Sequence, residues 1–78
     1  MNIKTFIDQL AVELEIDKPE SLSPDTSFRE IDDWSSMHAL ILIAFVDAEY
    51  NVTLTGDDLR RATTVQDLYD IVSAKIAA

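Results

Sequence analysis

The sequence contains no cysteine, one histidine, one glycine and two prolines, and its 6 Lys and Arg face 15 Asp and Glu. Each scarcity removes a class of function. Without cysteine there is no thiol nucleophile, no thiolate metal site and no disulfide framework, and a lone His38 cannot supply the histidine pairs that zinc sites usually need. A formal net charge of −9 over 78 residues disfavours nucleic acids and anionic membranes, which repel it, and favours partners that present Lys and Arg. No apolar run approaches the roughly 18 residues of a membrane span. The N-terminal MNIKTFIDQL has neither a basic region followed by an apolar one nor a cleavage site. A cytoplasmic protein that binds neither membrane nor nucleic acid is expected. A self-contained enzyme is not expected, because so short a chain has no second layer with which to wall a pocket around its carboxylates.

Glycine and proline punctuate the backbone at Pro19, Pro24 and Gly56 only, so long helices are expected elsewhere. Ile3, Phe6, Ile7, Leu10 and Leu14 recur at spacings of three and four, which predicts a first helix over about residues 2–15. The stretch from Asp17 to Trp34 is rich in Pro, Ser and Asp and long for a structureless connection, with Leu22, Phe28 and Ile31 as its expected core anchors. From Ser35 to about Tyr50 the chain is apolar and free of Gly and Pro, and no second run is available to pair with it as a strand. A central helix is expected there, with Met37, Leu40, Ile41, Ala44, Phe45 and Ala48 facing inward and His38, Leu42 and Ile43 available for an exposed strip.

Thr55 precedes Asp57 and Asp58, and Arg60 and Arg61 follow, a polarity that suits the dipole of a one- or two-turn third helix. Thr64 is placed to cap a last helix whose stripe is Val65, Leu68, Tyr69, Val72 and Ile76. The expectation is a single all-α domain over residues 1–78: a four-helix bundle with three longer helices, a short third helix and a long first loop. Asp47, Glu49, Asn51 and Asp58 have a superficial calcium-loop spacing. Val52 stands where the sharp turn requires Gly and Asp58 where a bidentate Glu is needed, so calcium binding is set aside.

The segment Ser27-Phe28-Arg29-Glu30-Ile31-Asp32-Asp33-Trp34-Ser35-Ser36-Met37 has the length and endpoints of the stretch in acyl carrier proteins that runs from a Ser-Phe pair to the modified Asp-Ser-Leu motif. Tyr50-Asn51-Val52 and the Thr-Val opening within Ala62-Thr63-Thr64-Val65-Gln66-Asp67-Leu68 extend the likeness over nearly the whole chain, which resembles an acyl or peptidyl carrier protein. The resemblance implies that Ser36 receives 4′-phosphopantetheine from a separate phosphopantetheinyl transferase, so that cargo is carried as a thioester on the arm. Ser-Phe sets the register that selects Ser36 over Ser35. A serine in the first turn of a helix suits the task, since unsatisfied N–H groups and the positive dipole end favour a phosphodiester.

Ser35 replaces the family's Asp, keeping a capping oxygen and losing a charge, with Asp32 and Asp33 as possible compensation. The central helix carries only Asp47 and Glu49 as acids, which points to docking on partners with apolar as well as basic surfaces, through Ser35, Met37, His38, Leu42 and Asp47. His38 is read as a surface group and not a catalytic one. Trp34, just before the cap, is expected to staple the start of the helix, the alternative being that it lies over the arm. The small residues Ala44, Ala48 and Ala62 are candidates to leave room for an acyl chain between the second and third helices, the alternative being simple close packing of alanine.

A monomeric, discrete carrier of fatty or polyketide acyl groups is expected, since the sequence starts at Met1 and ends just past the last helix. Its partners would be acyl-loading and synthase enzymes. The alternatives are an aminoacyl carrier of the peptidyl or D-alanyl type and an unmodified helical adaptor.

Overall fold

The computed structural model describes residues 2–16, 19–31 and 34–77. Among these residues four α-helices run in the order α1 (Ile3–Glu13), α2 (Ser36–Tyr50), α3 (Gly56–Arg61) and α4 (Val65–Ala77), with short 3-10 turns at Pro19–Ser21 and Phe28–Glu30 in the long first connection. The all-α architecture and the short third helix agree with the reading of the sequence.

Three of the helices close their own N-termini. Asn2 Oδ1 accepts from the Thr5 N–H at 2.8 Å to start α1. Thr55 and Asp58 form a reciprocal capping box at α3, the Thr55 hydroxyl taking the Asp58 N–H and the Asp58 carboxylate taking the Thr55 N–H. Thr64 and Asp67 repeat the arrangement at α4, and the Asp67 carboxylate also accepts from the Thr63 N–H at 2.9 Å. Those hydrogen bonds stabilise the ionised form, so both carboxyls sit below the ordinary carboxylate range: Asp58 chiefly through Lys75, 2.9 Å away, and Asp67 chiefly through the Thr63 and Thr64 N–H groups.

With so little glycine, other residues take the left-handed positions at helix ends. Asn51 (φ 56) caps the C-terminus of α2, and Glu15 (φ 54) ends α1. Around Glu15 the N–H groups of Glu15 and Ile16 return to the carbonyls of Val12 and Ala11, a Schellman closure in which Gly is the usual residue.

The buried side chains form one cluster. Phe6 is fully buried, and its ring lies 6.3, 6.1 and 5.8 Å from those of Phe45, Tyr50 and Tyr69, which joins α1, α2 and α4. Leu22 and Phe28 anchor the long loop as expected, with Ile31 partly buried against the same cluster. The loop is also stitched to α4. Val65 N–H donates to the Thr26 carbonyl at 3.0 Å and Gln66 N–H to the Pro24 carbonyl at 2.9 Å, beside an isolated bridge between Ser27 and Thr64. The first N–H groups of α4 are thereby satisfied by a segment about forty residues away in the chain.

The inward face of α2 differs from the expected one. Its buried residues are Leu42, Phe45 and Val46, whereas Met37 and Leu40 are 63% and 66% exposed and Ala44 and Ala48 are also outside. Apolar residues surround this helix, so periodicity does not select a face. The selection falls to Phe45, Leu42 and Val46, a bulky i, i+3, i+4 group that meets the Phe6 side of the core. In α4 the stripe is inward at Val65, Leu68 and Val72, while Ile76 in the last turn is 47% exposed.

Candidate functional site

Phe28 is the anchor of the segment that leads to α2, and Trp34 packs edge-on against it with ring centroids 5.5 Å apart. Arg29 stacks its guanidinium 4.9 Å from the Phe28 centroid and donates to the Leu59 carbonyl, which ties the loop to α3. Trp34 N–H returns to the Ile31 carbonyl at 3.0 Å. These contacts hold Ser35 in extended backbone (φ −144, ψ 175) and make Ser36 the first residue of the longest helix, exposed to solvent.

Ser35 occupies the N-cap position but its side chain does not cap. Its hydroxyl lies 3.0 Å from His38 Nδ1, and the first N–H groups bonded within the helix, those of His38 and Ala39, both go to the Ser35 carbonyl. Among the described residues no acceptor meets the N–H of Ser36 or Met37, and no acidic residue lies in the first turn. His38 is held by the Ser35 hydroxyl and by Trp34, whose ring centroid is 5.7 Å from its own. Trp34 thus packs between Phe28 behind it and His38 ahead at the entry to α2. Asp32 and Asp33 lie outside the described residues.

The structure brings Ser35, Ser36, Met37 and His38 together at the start of α2 and puts Asp47, exposed, about 16 Å further along the helix. Leu42 is 1% exposed and belongs to the core, so it is not available to a partner. Its place on the outer surface is taken by Leu40, one turn below Ser36, which the sequence reading had turned inward. Met37, Leu40 and Ala44 make an exposed apolar strip running from Ser36 toward Asp47. Of the residues expected to line a space between α2 and α3, Ala62 is fully buried and Ala44 and Ala48 are exposed. An open groove of about 310 Å³ lies between α1 and α2, lined by Thr5, Asp8, Gln9, Val12, Glu13, Phe45 and Glu49.

Among the described residues no helix is long and apolar enough to cross a membrane. No family model matches the chain. An acyl carrier protein of Thermosynechococcus vestitus is 32% identical over 71 residues, 91% of this chain and 82% of that protein. The solution structure of a holo acyl carrier protein from Geobacter metallireducens superposes with a TM-score of 0.80 at 25% identity, over 96% of this chain and 85% of that one. With a relative of this identity matched over most of both lengths and the same fold in a solved carrier, the chain belongs to the acyl carrier protein family, whose members are carriers and not enzymes.

Proposed function

We propose that Ser36 is the attachment point of 4′-phosphopantetheine and that the protein, acting as a monomer, carries acyl groups in fatty acid or polyketide-type synthesis. The observation that carries this reading is the start of α2: an exposed serine hydroxyl as first helical residue, beside N–H groups that no described side chain caps. Its residue types fit a phosphodiester. The hydroxyl oxygen is the one that would be esterified, and the N–H groups and dipole of a fifteen-residue helix favour the anion left beside it. The chain has no cysteine, and the arm supplies the thiol on which cargo is held as a thioester. Ser36 needs no base from its own chain, since among the described residues nothing near it is arranged to take its proton; a transferase supplies that activation.

The protein's own part is positioning. Phe28, Trp34 and Arg29 fix where the loop ends and α2 begins, and the Ser35 to His38 contact orders the first turn. Met37, Leu40 and Ala44, with Ser35 and His38 at one end and Asp47 at the other, form the surface on which transferase, loading and synthase enzymes with apolar or basic faces would dock. The cytoplasm is the compartment proposed for it.

Incubation with coenzyme A, magnesium and a broad-specificity transferase, followed by intact mass, tests the assignment. One phosphopantetheine is expected on the native chain and none on Ser36→Ala. An unmodified native chain, or a modified Ser36→Ala, overturns it.

A further inference from the structure

A second surface lies away from Ser36 and is not explained by attachment of an arm. Val12, at 74%, is the most exposed large apolar side chain of the described residues, and it sits on the wall of the groove between α1 and α2. On α1 the lining residues Thr5, Asp8, Gln9, Val12 and Glu13 fall at i, i+3, i+4, i+7 and i+8, one continuous helical face. Phe45, 6% exposed, and Glu49 line it from α2. They lie roughly 13–20 Å along α2 from Ser36 and on the opposite side of the helix. The apolar centre is bordered by Asp8, Glu13 and Glu49, and among the described residues no Lys or Arg lines the groove. Among the described residues none of these carboxylates has a cationic partner, the salt bridges being Arg60 with Asp57 and Lys75 with Asp58. Gln9 spans the groove, donating to Glu49 at 3.1 Å and accepting from the Tyr50 hydroxyl, so both walls are fixed to each other.

We propose that this groove docks a basic amphipathic helix of a partner protein, with an aliphatic anchor over Val12 and Phe45 and Lys or Arg on its flanks meeting Asp8, Glu13 and Glu49. Charge complementarity selects this occupant. A second copy of the chain brings its own net charge of −9, and an anionic lipid or fatty carboxylate is repelled by the same rim. The groove is small for a ligand pocket and open to water, which suits one or two inserted side chains. Two apolar surfaces on different sides of α2 allow two partners at once, one at Ser36 and one here.

The test titrates the ¹⁵N-labelled protein with a fifteen-residue amphipathic peptide of Leu and Lys, and with a Ser and Lys peptide of equal charge. The expected result is that the Leu/Lys peptide shifts the amides of Thr5, Asp8, Val12, Glu13 and Glu49 and binds at least about 10-fold tighter than its polar control, because only the former brings an aliphatic anchor to bury. Val12→Ser and the pair Asp8→Lys, Glu13→Lys each weaken it several-fold, while Leu40→Ser has no effect. All these positions are exposed, and unchanged circular dichroism confirms folding. Equal binding of both peptides, shifts centred on Met37, Leu40 and Ala44, absence of binding, or preferential uptake of decanoate or of a second copy overturns the proposal. Because the readout uses the unmodified protein, it stands or falls independently of Ser36.

Discussion

Helix α3 has six residues and a side-chain capping box at its N-terminus, whereas α2 has fifteen and an N-terminus that no described side chain caps. Thr55 and Asp58 satisfy each other's N–H groups in α3, with acids in its first turn and Arg60 and Arg61 in its last. In α2 the residue at the equivalent place, Ser35, turns its hydroxyl to a histidine ring. Six residues cannot hold a helix without such help, since nucleation is costly and short helices are marginal alone. Fifteen residues buried through Leu42, Phe45 and Val46 can, so the longer helix does not depend on a side-chain cap from the described residues. Local closure is strongest where the helix is weakest.

The comparison breaks most sharply at Ser36. Replacement by Ala is expected to abolish pantetheinylation entirely while shifting folding stability by no more than about 0.5 kcal/mol, as befits an exposed position outside the core, with intact mass and urea denaturation as the two readouts. At the closed ends the effect is the reverse. Thr64→Ala removes the acceptor of the Asp67 N–H and is expected to cost about 1–2 kcal/mol in urea denaturation without touching modification of Ser36.

Ser35→Asp places a carboxylate at the N-cap beside the helix dipole, so the unmodified protein is expected to gain about 0.5–1 kcal/mol. The gain shrinks in the modified protein, where two anions share one helix start; melting of both forms measures the difference. Ser35→Ala, which removes no backbone cap, changes the unmodified protein little.

Acid separates the ends most gently. Asp58 and Asp67 have folded-state pKa values below those of the unfolded chain, so their stabilisation is complete above about pH 3.9, the unfolded value, and disappears as pH falls through the lower folded values. Asp58→Asn and Asp67→Asn are each expected to flatten part of the acid-side decline in melting temperature, whereas Ser35→Ala leaves its shape unchanged.

Much of this was legible in the sequence because caps are local. Thr55, Asp58 and Thr64 announce their helices through contacts three residues apart, and the spacing from Ser27-Phe28 to Ser36 survives in the Phe28 anchor and the position of Ser36 in α2. Leu40 and Leu42 exchanged places between expectation and structure because both are aliphatic on a helix with no polar face, and only packing against α1 and α4 distinguishes them. Val12 gave no warning either: it continues no error in the α1 stripe, and the groove beside it exists only when Phe45 and Glu49 arrive from α2. The Ser35 to His38 contact was likewise hidden, since an N-cap serine is expected to serve the backbone.

The two backbone hydrogen bonds that Val65 and Gln66 donate to the Thr26 and Pro24 carbonyls make the last helix a brace for the approach to Ser36. Fraying at that seam would slacken the Phe28 anchorage and let the start of α2 wander, so hydrogen exchange at those two amides serves as a remote gauge of how firmly Ser36 is held. A disturbance near the far end of the chain would then register as poor delivery at a residue it never touches.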